Sequence, residues 1–172
     1  MPAEERAAAS AKARSLLAAQ QLWQRAQSVL LFAPLPGELD VWPLLLDAIR
    51  TGKQVALPRF ERQTKSYAAF QIQDPDTDLQ AGHFGIREPN AHCPALASEP
   101  LDLILVPGVA FDRQGHRLGR GKGYYDKLLT AMRGTRCGVA FDQQMVEGIP
   151  VEGHDAKMDC VLTPTSWIKL SA

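Results

Sequence analysis

The stretch LDLILVPG, residues 101–108, decides the fold that we expect of this chain. Its first six residues form a nearly continuous apolar run, and Pro107 and Gly108 end that run. A short apolar run of this kind predicts a β-strand buried on both faces, as in a parallel sheet that helices cover. The stretch therefore favours an α/β protein, provided that helices alternate with further strands along the chain.

Strand and helix patterns do alternate on both sides of this run. Further strands are predicted at residues 28–33, 54–58, 66–72, 136–141 and 160–165. Helices are predicted at residues 4–25, 41–52 and 124–134, the last two ending near Gly52 and Gly134. This alternation predicts a three-layer α/β/α fold with a mixed, mostly parallel central sheet, in a single domain over residues 1–172.

One connection in this scheme is unusually long. Residues 73–100 are rich in Pro, Asp and Gly and include the segment GHFGIREP, and we expect an irregular connection there. Loops of that length are uncommon in compact domains unless they have a function or are disordered.

Composition excludes several classes of protein. The 19 basic and 19 acidic residues give no net charge, which argues against nucleic acid as a partner. Three scattered cysteines without a CxxC pattern favour a reducing, cytoplasmic setting. Because no apolar run approaches the ~20 residues of a membrane span, we also expect no membrane association. We expect a monomer.

The most distinctive segment after the strand is LGRGKGYYD, residues 118–126. It does not match a P-loop, because Lys122 is followed by Gly123 where that motif has Ser or Thr. It does not match the dinucleotide fingerprint either, because Tyr124 stands where GxGxxG requires its last glycine. The two commonest nucleotide motifs are therefore excluded.

The same segment nevertheless has the composition of an anion-binding turn. Its glycines let backbone amides face an anion, and a helix that follows adds free N–H donors. If that helix begins at Lys122, the Lys122 ammonium and the Asp126 carboxylate share one helix face, which suits a phosphate chain and its Mg²⁺. A second interpretation stays open, in which the two residues form an ordinary i,i+4 pair beside an exposed turn.

The run LDLILVPGVAFDRQGHRLGRGKGYYDKLL, residues 101–129, closely resembles the 5-formyltetrahydrofolate cyclo-ligase family. Three further stretches resemble elements of that family in the same order. They are PLPGELD at 34–40, FGIREP at 84–89 and GHDAKMDCVLT at 153–163. The resemblance extends over residues 3–168, nearly the whole chain.

The resemblance implies an enzyme that converts 5-formyltetrahydrofolate and ATP to 5,10-methenyltetrahydrofolate, ADP and phosphate. In the family's mechanism, the γ-phosphoryl group passes to the formyl oxygen, nitrogen 10 attacks the activated carbon, and phosphate leaves. Such a step needs charge neutralisation and in-line positioning more than a protein nucleophile. The implied cofactor is Mg²⁺, ATP is a co-substrate, and the implied partners are small molecules.

The resemblance also implies site residues. Those matching the ATP-binding run are Arg117, Arg120, Gly121, Lys122, Gly123, Tyr124 and Tyr125. Those implied for substrate binding are Glu38, Arg120, Gly121, Lys122, Gly123 and Tyr124. Those implied for catalysis are Arg120, Lys122 and Tyr124. The carboxylates implied for Mg²⁺ are Asp126 and Asp155, while Gly85, Ile86, Glu88 and Pro89 are expected to shape the pocket wall.

Structural interpretations of some of these residues stay open. Glu38 could be a solvated turn residue, and Tyr125, which lies on an apolar stripe, could belong to the core. Asp159 is either an outer carboxylate of the metal site or a capping residue at a strand edge. The histidines at 83, 92, 116 and 154 show no metal-ligand spacing along the sequence.

The sequence departs from the family pattern at its start. Family members begin with one more helix, whose Lys-x-x-x-Arg pattern reaches the ATP phosphates, and we expect that helix to be absent here. Lys12 and Arg14 do not stand at the matching positions. This departure leaves a family member that binds folate or nucleotide without turnover as the alternative, and an enzyme of phosphorylated metabolites as a weaker one.

Overall fold

Strands and helices alternate along the chain in the computed structural model, which describes residues 1–96, 100–153 and 155–170. His154 lies outside the described residues. The helices are α1 (Ala3–Ala18), α2 (Gln21–Arg25), α3 (Trp42–Arg50), α4 (Pro75–Asp78) and α5 (Tyr124–Ala131). The strands are β1 (Ser28–Leu30), β2 (Gln54–Glu61), β3 (Ser66–Ile72), β4 (Leu79–Ala81), β5 (Arg87–Pro89), β6 (Leu101–Val106), β7 (Ala110–Phe111), β8 (Arg117–Leu118), β9 (Gly134–Val139), β10 (Cys160–Leu162) and β11 (Trp167–Lys169).

The main sheet has seven strands in the order β11-β10-β9-β6-β1-β2-β3. The apolar strand β6 is its central strand, parallel to β1 on one side and to β9 on the other. Strands β2 and β10 extend the parallel part, while β3 and β11 pair antiparallel at the two edges. The predicted mixed, mostly parallel sheet is confirmed.

Two apolar clusters cover the two faces of this sheet. Leu103 and Leu105 of β6 point towards α1, α2 and α3, whose buried residues include Leu17 and Leu45. Alternate residues of the same strand face α5, where Leu128 and Leu129 are buried. Because successive side chains of a strand point to opposite faces, one apolar strand fills both clusters. The predicted three-layer arrangement is confirmed.

The predicted N-terminal helix at 4–25 is divided. Helix α1 ends at Ala18, and α2 begins at Gln21 after Gln20 adopts extended backbone angles. The break lets Leu17 of α1 and Trp23 of α2 reach the same core cluster. No helix in the described part of the chain has the length and apolar character that crossing a membrane requires.

Helix α5 begins at Tyr124, as predicted, but ends at Ala131, earlier than predicted. Gly123 precedes it with φ +70°, in the left-handed region that a right-handed helix excludes. The helix therefore begins at Tyr124, and Lys122 lies outside it. A shared helix face for Lys122 and Asp126 was expected only if the helix began at Lys122, and that condition is not met. At the other end, Met132 is extended, and Gly134 begins β9 instead of closing the helix.

The connection at 73–100 was predicted to be irregular, and that prediction is wrong for part of its length. It contains the short helix α4 and a small antiparallel sheet of β4 and β5. Strand β5 also packs against the main sheet beside β2 and β3. We call residues 73–96 the β3–β5 excursion. It carries His83, Phe84 and Glu88 towards the carboxyl edge of the sheet.

Candidate functional site

Two loops meet beyond the carboxyl ends of the central parallel strands. One follows β1 and carries Glu38, and the other follows β6 and carries Arg120. An ion pair joins them, with 3.7 Å between Arg120 Nη2 and Glu38 Oε1. The carboxyl edge is where open α/β sheets bind their ligands. The structure therefore brings two predicted site residues together across this edge.

Glu38 is a partly buried carboxylate that its own turn holds in place. Its side chain is 14% exposed, and Oε2 accepts a hydrogen bond from the Leu35 amide at 2.9 Å. Burial raises the pKa of Glu38, although the Leu35 amide and Arg120 oppose that rise. A fully solvated turn residue is not what the structure shows. Such a carboxylate can accept hydrogen bonds from N–H donors of a ligand.

Two glycines of the loop after β8 have left-handed backbone conformations. Gly121 and Gly123 have φ of +88° and +70°, which side chains other than glycine adopt at a cost. Between them, Lys122 is exposed, and the side chain of Arg120 is 65% exposed. An exposed turn that leads into the start of α5 with two cations can hold an anion through charge-assisted hydrogen bonds.

Arg117 lies beneath this loop instead of on its surface. Its side chain is 5% exposed, and it bonds the Pro107 carbonyl at 3.1 Å and Asp126 Oδ1 at 3.4 Å. A Cβ at Gly119 would lie 3.1 Å from Arg117 Nη1, so the missing side chain lets the backbone pack on the guanidinium. The geometry gives Arg117 a positioning contact with Asp126, at the first turn of α5.

The turn before β8 is fixed by a buried carboxylate. Asp112 accepts hydrogen bonds from the amides of Gln114, His116 and Ile149 and from the His116 ring. Burial alone would raise the pKa of Asp112, but these hydrogen bonds outweigh it and lower the pKa. His116 therefore has a structural partner, which is consistent with the absence of metal-ligand spacing around it.

Aromatic rings from four parts of the chain form a wall beside the loop. Phe60 stacks on His83 with 4.2 Å between ring centroids and lies 5.0 Å from Tyr124. Tyr67 of β3 lies 5.8 Å from Tyr125. We call the rings of Phe60, Tyr67, His83, Phe84 and Tyr124 the aromatic cluster. It provides a surface on which a flat heterocycle can stack.

Tyr125 lies under this cluster as part of the core, which is one of the two interpretations that the sequence left open. It is part-buried, packs against the apolar cluster of α5, and lies 5.4 Å from the Arg117 guanidinium. Burial raises the pKa of Tyr125, and the Arg117 charge opposes the rise only in part. Tyr125 is thus placed to support the loop, whereas Tyr124 is the residue on the aromatic cluster.

Glu88 anchors the excursion to β2. Its buried carboxylate accepts hydrogen bonds from the amides of Phe60 and His83 at 3.4 and 3.2 Å. A Cβ at Gly82 would lie 2.2 Å from Glu88 Cδ, so any side chain at this position would clash with Glu88. Burial raises the pKa of Glu88. The expectation that Glu88 shapes the pocket wall stays a prediction, and these contacts support it.

Phe84 gives a direct test of the aromatic cluster. Its φ of +60° is strained for a bulky residue. The residue is also 62% exposed, so an apolar ring faces solvent. We expect Phe84→Gly to raise the unfolding free energy by up to about 1 kcal/mol, because the strain is relieved. The affinity for the folate that the family resemblance implies as substrate should fall at the same time, because the aromatic cluster loses a ring. Denaturant unfolding and calorimetry measure the two, and Phe84→Ala, which keeps most of the strain, should lose affinity without gaining stability.

The remaining predicted carboxylates lie on the segment before β10. Asp155 accepts a hydrogen bond from the Glu152 amide, and the same segment reaches Gly115, whose carbonyl accepts from the Met158 amide. Asp159 instead bonds the Arg136 amide at 2.8 Å across to β9. This contact supports the strand-edge interpretation of Asp159. A metal role for Asp126 and Asp155 stays a prediction.

Sequence patterns did not indicate Phe60, Tyr67 or His83 as site residues. Phe60 and Tyr67 face each other across the antiparallel pair of β2 and β3, and the excursion adds His83. Their contact depends on strand register and on a turn far along the chain. The signal available in the sequence was the alternation in SYAAFQI, which places Tyr67 and Ala69 on one face of β3.

Comparisons with known proteins identify the family of this chain. The family model described as "5-formyltetrahydrofolate cyclo-ligase family" matches residues 1–164. The 5-formyltetrahydrofolate cyclo-ligase of Escherichia coli K12 is 35% identical over 144 residues, with 81% of this chain and 79% of that protein covered. The mouse protein of the same name is 31% identical, with 94% and 85% covered.

Solved structures agree as well. The NMR structure of Aquifex aeolicus 5,10-methenyltetrahydrofolate synthetase has 35% identity and a TM-score of 0.88, covering all of this chain and 86% of its own. A Mycoplasma pneumoniae 5,10-methenyltetrahydrofolate synthetase, at 18% identity and a TM-score of 0.73, shows the shared fold. The family model, the curated relatives and the Aquifex structure lead to one conclusion: this chain belongs to the 5-formyltetrahydrofolate cyclo-ligase family of enzymes.

Proposed function

We propose that this protein catalyses the ATP- and Mg²⁺-dependent cyclisation of 5-formyltetrahydrofolate to 5,10-methenyltetrahydrofolate, with release of ADP and phosphate. The observation that carries the proposal is the Arg120–Glu38 ion pair, which joins the cationic glycine loop to a partly buried carboxylate. The aromatic cluster lies against the same loop through Tyr124. One edge of the sheet thus offers an anion-binding side and a folate-binding side in contact.

The cations of the loop would act on the transferring phosphoryl group. Lys122 is exposed on a turn whose glycines leave backbone amides accessible, so it can hold phosphate oxygens and neutralise developing charge. If the Arg120 side chain moves away from Glu38, it can bind a phosphate oxygen or the formyl group. The aromatic cluster would hold the pterin so that the formyl oxygen lies in line with the γ-phosphorus.

Asp126 and Asp155 have the chemistry of Mg²⁺ ligands. Mg²⁺ prefers carboxylate oxygens together with phosphate oxygens and water. Arg117 contacts one oxygen of Asp126, and a carboxylate has about four lone-pair sites, so that contact leaves the other oxygen for a metal. When bound, Mg²⁺ would neutralise charge on the terminal phosphates. Arg117 would keep the Asp126 carboxylate oriented towards them.

We also propose a monomer in a reducing compartment that binds small molecules. Cys93, Cys137 and Cys160 are all free and buried, as expected of a protein that has no need of disulfides. Size-exclusion chromatography with light scattering measures the oligomeric state, and a dimer at micromolar concentration would contradict this part of the proposal.

An absorbance assay tests the activity. Purified protein with 5-formyltetrahydrofolate, ATP and Mg²⁺ should form the methenyl product, which absorbs at longer wavelength than the substrate, and omission of either ATP or Mg²⁺ should abolish its formation. Folate binding in calorimetry without any product at saturating ATP would instead identify a binding protein of the same family and overturn the proposed activity.

Glu38→Gln tests the folate side separately. The amide keeps the size of Glu38 and an acceptor oxygen but removes the charge that pairs with Arg120. We expect the KM for the folate to rise at least ~10-fold, since a charged hydrogen bond is worth about 1.5–3 kcal/mol. The KM for ATP should change less than ~3-fold by the same scale. Equal changes in the two KM values would contradict the assignment of Glu38 to the folate.

A further inference from the structure

A second cluster of metal-ligating side chains lies away from the loop, on the β3–β5 excursion. Asp78, His92 and Cys93 each offer one ligand atom, and the three atoms lie within 4.8 Å of one another. The carboxylate comes from the end of α4, and the imidazole and thiol come from the turn after β5. Residues 14 and 15 positions apart are thus brought together by the fold.

We propose that Asp78, His92 and Cys93 form a binding site for a divalent cation of the Zn²⁺ class. One oxygen, one nitrogen and one sulfur ligand suit a borderline-soft ion and do not suit Mg²⁺ or Ca²⁺. A thiolate and a carboxylate together balance the two charges of the ion. Bond lengths of about 2.0–2.3 Å place tetrahedral ligand atoms roughly 3.3–3.8 Å apart, so closure needs only small movements.

The backbone around the three side chains is already fixed. The Asn90 amide donates to the Asp78 carbonyl at 2.8 Å, and the Asn90 side chain donates to the Thr77 carbonyl at 2.8 Å. The Cys93 amide donates to the Asn90 carbonyl at 3.1 Å. Because both chain segments are held by these bonds, binding would order few additional groups. Asn90 Oδ1 is 3.6 Å from Cys93 Sγ. Either this oxygen or a water molecule would be the fourth ligand.

The three ligands also have suitable orientation and charge. Asp78 Oδ2 accepts hydrogen bonds from the amides of Asp74 and Gln73, which orients Oδ1 towards His92 Nε2 at 2.7 Å. These hydrogen bonds lower the pKa of Asp78 to about 2. The nearby cation Arg59 is paired with Glu61 at 2.9 Å, which reduces its repulsion of a metal.

The thiol completes the site. Cys93 is buried, and its thiol donates weakly to the Asp78 carbonyl at 3.4 Å. Burial, and then the charge of Asp78, raise the pKa of Cys93. A bound ion would take the place of the thiol proton, which would pass to solvent, and a metal–thiolate bond would form. The ion would then join both ends of the segment that carries His83, Phe84 and Glu88.

Cobalt(II) is the probe for this site, because its spectrum reports both thiolate ligation and tetrahedral geometry. We expect reduced, metal-free full-length protein to bind one equivalent of Co²⁺ with a thiolate-to-cobalt band in the near ultraviolet, and Zn²⁺ to remove that band. Cys93→Ser should abolish the band. His92→Gln changes an exposed side chain, so it should fold normally and weaken Co²⁺ binding at least 10-fold. Zn²⁺ should raise the thermal midpoint of the wild type and not of His92→Gln.

Asp76→Asn is the matched control, because it removes a carboxylate from the same helix, two residues before Asp78, without touching the cluster. It should bind Co²⁺ as the wild type does. Wild-type protein without a near-ultraviolet band would overturn the proposal. A band that persists in Cys93→Ser would do so too, as would unchanged affinity in His92→Gln. None of these readouts depends on cyclo-ligase activity, so the site is tested independently of the proposed function.

Discussion

Replacing Lys122 by alanine should lower ATP-dependent turnover at least ~100-fold and leave the melting temperature within about 1 °C of the wild type. Lys122 is exposed, lies outside α5, and follows Gly121 at φ +88°. Its removal therefore takes no packing from the core. A cation aimed at developing phosphate charge contributes far more in the transition state than at rest, so kcat should fall more than the KM for ATP rises.

Lys127→Ala is the control for charge. Lys127 is also exposed and lies five residues along the same segment, on α5. It should change turnover less than ~3-fold, as expected of a surface cation outside the site. A large loss of stability in Lys122→Ala would instead support the interpretation of the glycine loop as a structural turn. Equal losses of activity in the two variants would indicate a general effect of charge.

Arg117→Leu should lower the free energy of unfolding by about 3 kcal/mol, the second large effect that we expect. The leucine leaves the Pro107 carbonyl and the Asp126 carboxylate without the partner they have now. It also leaves an apolar side chain under Gly119, where the guanidinium packs against the backbone. Urea unfolding monitored by tryptophan fluorescence measures the loss, and the slope with urea should stay unchanged.

The matched control for Arg117→Leu is Arg113→Leu. Arg113 is an exposed cation on the same hairpin, so its replacement should change the free energy of unfolding by less than about 0.5 kcal/mol. If Arg117→Leu is as stable as the control and loses activity only through a higher KM for ATP, then Arg117 contacts the phosphates directly. That result would contradict the positioning contact with Asp126 and restore the interpretation drawn from the family resemblance.

The architecture could be predicted because short continuous runs of apolar residues indicate buried parallel strands. The last four residues of strand β6 are all buried, and β6 is the strand buried on both faces that its sequence predicted. Its central place in the sheet is a finding of the structure. The antiparallel β3 was predicted as a strand, but its orientation was not, since a short turn and a long register with β2 decide it. Strand β11 was missed because three partly exposed residues give little periodic signal.

The site was predicted less completely, for two physical reasons. Gly123 has a left-handed φ, which excludes a helix that begins at Lys122, and residue spacing alone does not show this. The aromatic cluster forms only when β2, β3, the excursion and α5 are assembled, so local sequence carries no sign of the Phe60–His83 stack. Arg117 shows the same limit, because a charged residue in a glycine-rich segment gives no indication of burial.

The central claim is that the glycine loop delivers the γ-phosphoryl group of ATP to the formyl oxygen of the folate. It is tested most directly with 5-formyltetrahydrofolate labelled with ¹⁸O in the formyl group. If the phosphoryl group forms a bond to that oxygen, the C–O bond to the formyl carbon breaks on cyclisation, and the released phosphate carries the label. We predict one labelled phosphate for each methenyl product formed by the wild type. Methenyl product accompanied by unlabelled phosphate, or ATP hydrolysis without any product, would contradict the account.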